Sequence, residues 1–273
     1  MSVIDWSVPS LDAIAIALAE VVLSAGPAVM DVYDGRIDSR TKTDGSPTTL
    51  ADERAEAIIC ARLREIAPDI PILAEEAASA GGAGPIGDVF FLVDPLDGTK
   101  EFLARNGEFT INVAYIRDGR PLAGAVYAPA LNRLWFGGKS AFMCEIPADH
   151  ALPARRLAIR CRPAPAAPTA VASRSHADPA TESFLEKLGV RDRRSAGSSL
   201  KFCLLAEGVA DVYPRFAPTM EWDTAAGDAV LRAAGGVVLS TGGGDLKYGK
   251  ASAGYRNGGF VAWGDPQAAD AAS

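Results

Sequence analysis

The apolar run Val89-Phe90-Phe91-Leu92-Val93 ends in Asp94-Pro95-Leu96-Asp97-Gly98-Thr99, and no other junction restricts so strongly what the chain can become. Two carboxylates three residues apart at the end of a buried strand repel one another, and a cation held between them makes their joint ionisation tolerable. A lone D-x-x-D more often serves a turn or a cap. Here the pair Glu75-Glu76 also closes the apolar segment Pro71-Ile72-Leu73-Ala74, and Glu221-Trp222-Asp223-Thr224-Ala225-Ala226-Gly227 opens a predicted helix far downstream. Three acidic clusters at the ends of separate elements can converge on one site. Hard oxygen donors of this kind suit Mg²⁺, which keeps several waters and needs few protein ligands.

Hydrophobic spacing predicts a helix over Leu11 to Tyr33, with Ser10 as its cap and Pro27 as a point of kinking. A second predicted helix, Asp52 to Ile66, gathers Ala55, Ile58, Ile59, Leu63 and Ile66 on one face, and Thr48-Thr49-Leu50-Ala51 leads into it. Phe109 to Ile116 and Leu122 to Tyr127, joined through Asp118-Gly119-Arg120, predict a hairpin. The first half is therefore expected as two helices on a largely antiparallel sheet. Ala77 to Gly87, glycine-rich with few apolar anchors, is expected as a mobile surface loop. Between Ile146 and Pro168 the composition shifts to Pro and Ala, as in a domain connection, which divides the chain into 1–150 and 151–273. The second half alternates: Thr169 to Ser173 as a strand, Pro179 to Leu188 and Leu200 to Glu207 as helices, Val209 to Tyr213 as a strand. Asp223 to Ala234 is helical, and Gly236 to Leu239 and Gly259 to Trp263 are strands. Such alternation points to an α/β layer.

At 273 residues, 48% of them hydrophobic and 22% charged, the chain has the composition of an ordinary globular protein with room for one large domain or two modest ones. A net charge of -7 argues against a nucleic-acid polymer as partner. Cys60, Cys144, Cys161 and Cys203 are scattered without a C-x-x-C pair or a nearby His, so neither zinc nor redox chemistry is indicated. No basic residue precedes Arg36, and the apolar stretch Ala13 to Leu23 is broken by Glu20. A secretory signal and a transmembrane segment are not expected on these grounds, and a cytoplasmic location is.

Asp94 to Phe102, reading Asp-Pro-Leu-Asp-Gly-Thr-Lys-Glu-Phe, resembles the first signature of the lithium-sensitive, magnesium-dependent inositol monophosphatase superfamily, and Trp222 to Gly227 resembles the second. The continuation Lys100-Glu101-Phe102, with Ser173-Arg174-Ser175-His176, Gly197-Ser198-Ser199-Leu200-Lys201 and Tyr213-Pro214-Arg215, is closer to the CysQ-type 3'(2'),5'-bisphosphate nucleotidase branch. The resemblance implies an α/β (α+β) fold, a layered αβαβα sandwich of the inositol monophosphatase/fructose-bisphosphatase type. Residues 1–150 would carry most metal ligands, and 151–273 the substrate specificity and one ligand. Two or three Mg²⁺ ions per site are implied: Glu75, Asp94 and the main-chain carbonyl of Leu96 hold one, and Asp94, Asp97 and Asp223 a second. Glu76 is the alternative to Glu75. By itself Asp52 reads as an acid favoured at a helix N-terminus; the resemblance makes it, with Thr99 and Glu75, a residue that orients and deprotonates the attacking water.

Substrate contacts implied by the same resemblance fall on Glu75, Leu96, Asp97 and Asp223 and on the amides of Gly98 and Thr99. Arg215, Lys201 and Ser199, with the amides of the Gly197-Ser198-Ser199 turn at a helix start, are candidates for a second phosphate, and His176 for the same phosphate or the base; against these stand a surface ion pair for Arg215 and structural roles for Lys201 and His176. His150 reads as incidental. Where the inositol-specific branch has an acid, seven residues before Asp223, this chain has Phe216, a candidate for packing beside a nucleobase or in the core. The implied activity is removal of the 3'-phosphate from adenosine 3',5'-bisphosphate, in sulfur assimilation and nucleotide recycling. The alternatives are an inositol phosphate or sugar phosphate monoesterase and an inactive nucleotide-binding sensor. The partner is a small phosphorylated nucleotide, and relatives imply weak peripheral association with the cytoplasmic face of the inner membrane.

Overall fold

Runs of β-branched and aromatic residues seed two sheets, and amphipathic helices cover the faces those sheets leave apolar. The structure is a computed structural model and describes residues 6, 10–42, 45, 47–82, 84, 86–172 and 179–272. Helix α1 (Leu11–Asp34) continues through Pro27, and Ser10 occupies its N-cap position without a side-chain capping bond. At 24 residues, with a mean hydropathy of 2.0 in its most apolar window, α1 is long and apolar enough to cross a bilayer, unlike the shorter stretch that Glu20 marks off in the sequence. In this fold it is a core helix whose Ile14, Leu18, Val22 and Val29 are fully buried.

A short antiparallel ribbon, β1 (Ser39–Thr41) and β2 (Pro47–Thr49), feeds α2 (Leu50–Ile66). This helix starts earlier than predicted because Thr49 caps it, accepting from the Ala51 amide, while Asp52 at the third position closes a capping box. Next come β3 (Ile72–Ala74), α3 (Glu75–Ser79), β4 (Val89–Asp97), α4 (Thr99–Leu103) and the hairpin β5 (Thr110–Arg117) and β6 (Arg120–Ala128). The predicted loop from Ala77 thus begins inside a helical turn. Three strands that the pattern did not announce, β7 (Arg133–Gly137), β8 (Ala141–Glu145) and β9 (Leu157–Ile159), extend the sheet. β9 lies within the Pro/Ala-rich stretch expected as a plain connection. The seven-stranded sheet runs in chain order, antiparallel except for the parallel pair β3 and β4.

The second half supplies β10 (Thr169–Ala172), α5 (Pro179–Lys187), β11 (Asp192–Ser195), α6 (Leu200–Ala206), β12 (Val212–Arg215) and β13 (Thr219–Met220). It ends with α7 (Trp222–Ala233), β14 (Val237–Ser240), β15 (Arg256–Asn257), β16 (Phe260–Trp263) and α8 (Pro266–Ala271). Its five-stranded sheet has the order β11-β10-β12-β16-β14, and β13 pairs with β15 apart from it.

Alternation along β4 and β5 decides the layering. Phe91, Val93, Val113 and Tyr115 face α1 and α2, whereas Phe90, Leu92, Ala114 and Ile116 face a second core shared with α6 and α7. α7 comes very close to the sheet: a Cβ on Gly124 would stand 2.8 Å from Ala226 O, and one on Gly137 2.7 Å from Ala233 Cβ. A third core, with Leu185, Val212, Trp263 and Ala269, lies under α5 and α8. The order of layers is α1/α2, large sheet, α6/α7, small sheet, α5/α8.

Candidate functional site

Between Asp94 and Asp97 β4 slips register against β5, with Asp94 opposite Asn112 and Asp97 opposite Thr110. One extra residue on β4 makes this a bulge, a device that re-aims side chains, and Pro95 inside it has no amide to lose. The Leu96 amide donates to Asp94 Oδ1 at 3.0 Å. Gly98 follows at φ 92 and caps α4 in a left-handed conformation; a Cβ there would also stand 3.2 Å from Glu108 O. Thr99 opens α4 and its hydroxyl lies 3.4 Å from the Leu96 carbonyl. Ala74, the last residue of β3, pairs with Val93, so Glu75, the first residue of α3, follows beside Asp94 on the neighbouring strand. Asp223 enters from the first turn of α7, its Oδ2 accepting from the Met220 amide at 2.8 Å. Asp52 accepts from the Thr49 amide at 2.8 Å and the Thr49 hydroxyl at 2.7 Å.

These carboxylates sense one another. Burial pushes Asp94 well above the usual carboxylate range, and the charges of Glu75, Asp97, Asp223 and Asp52 push it further. Asp223 is raised by burial and then by Asp97 and Glu75. Glu75 is lifted to about 7, burial outweighing the nearby Lys42 ammonium, and Asp52 to about 6, burial outweighing its Thr49 donors. Asp97 is raised by burial against the opposing pull of Lys201 and Ser199. A second ammonium pairs with the other side of the cluster: Lys42 Nζ lies 2.7 Å from Glu75 Oε1 and 2.5 Å from Glu76 Oε1. Burial would lower the pKa of Lys42, but Glu75 and Glu76 raise it overall.

The donor set fits a hard divalent cation: all its donors are oxygens, its carboxylates are buried (Asp94) or half-buried and mutually repelling, and Asn112 Oδ1, opposite Asp94, is a buried acceptor with no partner. Among the described residues no three His, Cys, Asp or Glu side chains stand in ligand geometry. Each carboxylate is held by a protein donor instead: Glu75 by Lys42, Asp97 by Ser199, Asp223 by the Met220 amide.

Two clefts meet at Asp223. One is lined by Asp97, Ser198, Lys201, Tyr213 and Arg215, the other by Glu75, Trp222 and Tyr255. Lys201 is buried with its Nζ donating to Ser198 O at 2.7 Å and lying 5.4 Å from the Tyr213 ring centroid. Burial lowers its pKa, with Arg215 adding to the fall and Asp97 opposing it. Arg215 Nε donates to the Ala217 carbonyl at 3.3 Å, and among the described residues its guanidinium has no carboxylate ion pair. Ser199 is set deeper than a residue facing substrate: its Oγ lies 3.0 Å from Asp97 Oδ2 and 3.0 Å from the Asp223 carbonyl. His176 lies outside the described residues. Phe216 packs edge-on against Phe184 at 5.7 Å between centroids, and His150 meets Tyr127 OH at 2.9 Å beside α1.

Sequence reasoning did not single out Lys42 or Asn112. Asn112 has a visible signal, a lone amide inside the apolar strand Phe109 to Ile116. Lys42 has none, because its meeting with Glu75 depends on where the β1–β2 ribbon folds.

The model of the inositol monophosphatase family matches residues 10–269. The chain is 46% identical over 233 residues to the 3'(2'),5'-bisphosphate nucleotidase CysQ of Shigella flexneri, covering 85% of this chain and 92% of that protein. It is 44% identical over 234 residues to the CysQ of Escherichia coli K12, with 85% and 92% covered. Among solved structures, CysQ from Bacteroides thetaiotaomicron, a bacterial member of the inositol monophosphatase family, is similar with a TM-score of 0.76 at 38% identity, over 92% of this chain and 97% of that one. An IMPase of Thermotoga maritima gives a TM-score of 0.74 at 26% identity, over 96% and 95%.

Proposed function

The chain belongs to the inositol monophosphatase family, and from that premise we propose that it is a Mg²⁺-dependent 3'(2'),5'-bisphosphate nucleotidase that converts adenosine 3',5'-bisphosphate to AMP and phosphate. What supports this substrate most is one cleft lined both by the carboxylates Asp97 and Asp223 and by the cationic Lys201 and Arg215. A molecule with two phosphates can meet both kinds of group in it. Phe216, in contact with Phe184, offers no carboxylate to a polyol.

Glu75, Asp94 and the Leu96 carbonyl would hold one ion, and Asp94, Asp97 and Asp223 would hold a second. When bound, Mg²⁺ supplies a hydroxide-like water at neutral pH and neutralises charge on the phosphoryl oxygens. Asp52, held by Thr49 and with a proton affinity raised to about 6, takes the proton of the attacking water together with Glu75. Thr99 orients that water through its hydroxyl. The amides of Gly98 and Thr99 donate to phosphate oxygens, which the absence of a side chain at Gly98 lets approach the backbone. Arg215 binds the 5'-phosphate in a two-pronged contact, and Lys201, its ammonium disfavoured by burial, is relieved by that added negative charge. The packing of α1 into the core supports reading it as a core helix of the fold and not as a membrane span.

Phosphate release measured across adenosine 3',5'-bisphosphate, its 5'-phosphosulfate counterpart, inositol monophosphates and fructose bisphosphate tests the assignment. The highest kcat/KM is expected for the nucleotide bisphosphate, and activity disappears in excess chelator. A preference for an inositol monophosphate, or full turnover in chelator, overturns it.

A further inference from the structure

Ser199 stands at the N-cap of α6, where a serine ordinarily accepts from the second or third amide of its own helix. No such bond forms here. Ser199, 1% exposed, directs its Oγ to Asp97 Oδ2 and to the main-chain carbonyl of Asp223, each at 3.0 Å, and Asn112 Nδ2 donates to it at 3.1 Å. A hydroxyl has one proton to give. Because Asn112 takes up a lone pair, that proton is directed to the two acceptors, one on β4 and one on α7. The turn before it is tightly fitted: Ser198 is held in the left-handed region at φ 45, and Gly197 sits where a Cβ would lie 2.5 Å from Glu108 O, so that only glycine fits. Strain of this kind persists where surrounding structure over-determines it, commonly beside functional sites.

We infer that Ser199 is a positioning residue, whose hydroxyl, oriented by Asn112, holds the Asp97 carboxylate and the first turn of α7 in one arrangement and thereby sets the affinity of the cation site that Asp97 and Asp223 form. This rests on the metal-site reading above. It separates Ser199 from its neighbour: Ser198 lines the cleft, whereas the Ser199 oxygen is engaged on all sides by protein groups. Partners that orient metal ligands through hydrogen bonds are worth roughly 10–100-fold in metal affinity.

Mn²⁺ titrated into the chelator-stripped full chain, followed by calorimetry and by the Mn²⁺ paramagnetic resonance signal, provides the test. Wild type should show two classes of site. Ser199→Ala should weaken one class by roughly 10–100-fold and leave the other in place, with KM for the nucleotide unchanged at saturating ion. Ser199→Thr, which keeps the hydroxyl, should recover most of the loss, and Asn112→Ala should repeat the one-class effect in milder form. Unchanged Mn²⁺ binding in Ser199→Ala overturns the inference and leaves the metal centre standing. Equal weakening of both classes, with the metal-free melting temperature lowered alike in the Ala and Thr variants, overturns it in favour of a packing role. A wild-type chain that binds no Mn²⁺ removes the metal-site reading and this inference with it.

Discussion

Asp94 faces more opposing charge than any protein donor on it can offset, accepting one amide while Glu75, Asp97, Asp223 and Asp52 all repel it. Its protonated form is therefore favoured in the folded chain. A carboxyl whose folded pKa lies above its unfolded value binds more protons when folded, so stability falls as pH rises from the unfolded pKa of about 4 through the folded one. With divalent ions chelated, Asp94→Asn should melt higher than wild type, and the gap should widen as pH climbs from about 4. Activity should move the other way and be largely lost. Melting curves against pH, run beside phosphate release, check both, and a variant that melts lower than wild type at neutral pH in chelator would refute the stored repulsion. Arg215 poses a question of substrate. Arg215→Ala should cost roughly 1.5–3 kcal/mol in kcat/KM on the bisphosphate, the range for hydrogen bonds to charged groups, and little on a nucleoside 3'-monophosphate. If the ratio of kcat/KM for the two substrates does not move, Arg215 is not the site of the second phosphate.

At the scale of an element, α2 shows one residue serving two ends. Asp52 is the third residue of a capping box, and the Thr49 donors that complete the box also hold down the pKa that burial raises to about 6. Thr49→Ala should therefore act twice. Loss of the cap should destabilise the fold by about 1 kcal/mol. Loss of the side-chain hydrogen bond should raise the pKa of Asp52, so the acidic limb of the pH–rate profile should shift to higher pH. A stability loss with an unmoved limb would leave Asp52 a cap and nothing more. The bulge in β4 works in a similar way: Asp94-Pro95-Leu96-Asp97 is legible as an acidic strand end, but the register slip that turns both acids to one side is fixed by pairing with Asn112 and Thr110 on β5.

Across the whole molecule, α7 ties the two sheets to the site, since its first turn carries Asp223 and its body lies on Gly124 and Gly137 of the large sheet. Gly124→Ala should destabilise by roughly 1–3 kcal/mol, the range for overpacking, or about 2–4 °C in Tm per kcal/mol for a chain of this size. It should also weaken divalent binding, because α7 must lift. Gly258→Ala, with nothing within 4 Å of the added Cβ, is the control and should stay within about 0.5 kcal/mol of wild type. Equal melting temperatures for the two variants would show that the layers are not tightly packed there. The sequence by itself pointed to the acidic cluster: carboxylates at the ends of buried elements are costly enough to be informative without coordinates, so Asp94, Asp97 and Asp223 could be singled out in advance as groups that converge, and periodicity was enough for α1, α2 and the β5–β6 hairpin. Tertiary structure alone decided the rest. β7 to β9 have short, weak patterns and form because a sheet edge is there to pair with. Lys42 reaches Glu75 only through the path of a ribbon. Ser199 left its cap for Asp97 and Asp223 because hydrogen bonds across distant elements depend on where those elements are brought, and local propensity does not encode that placement.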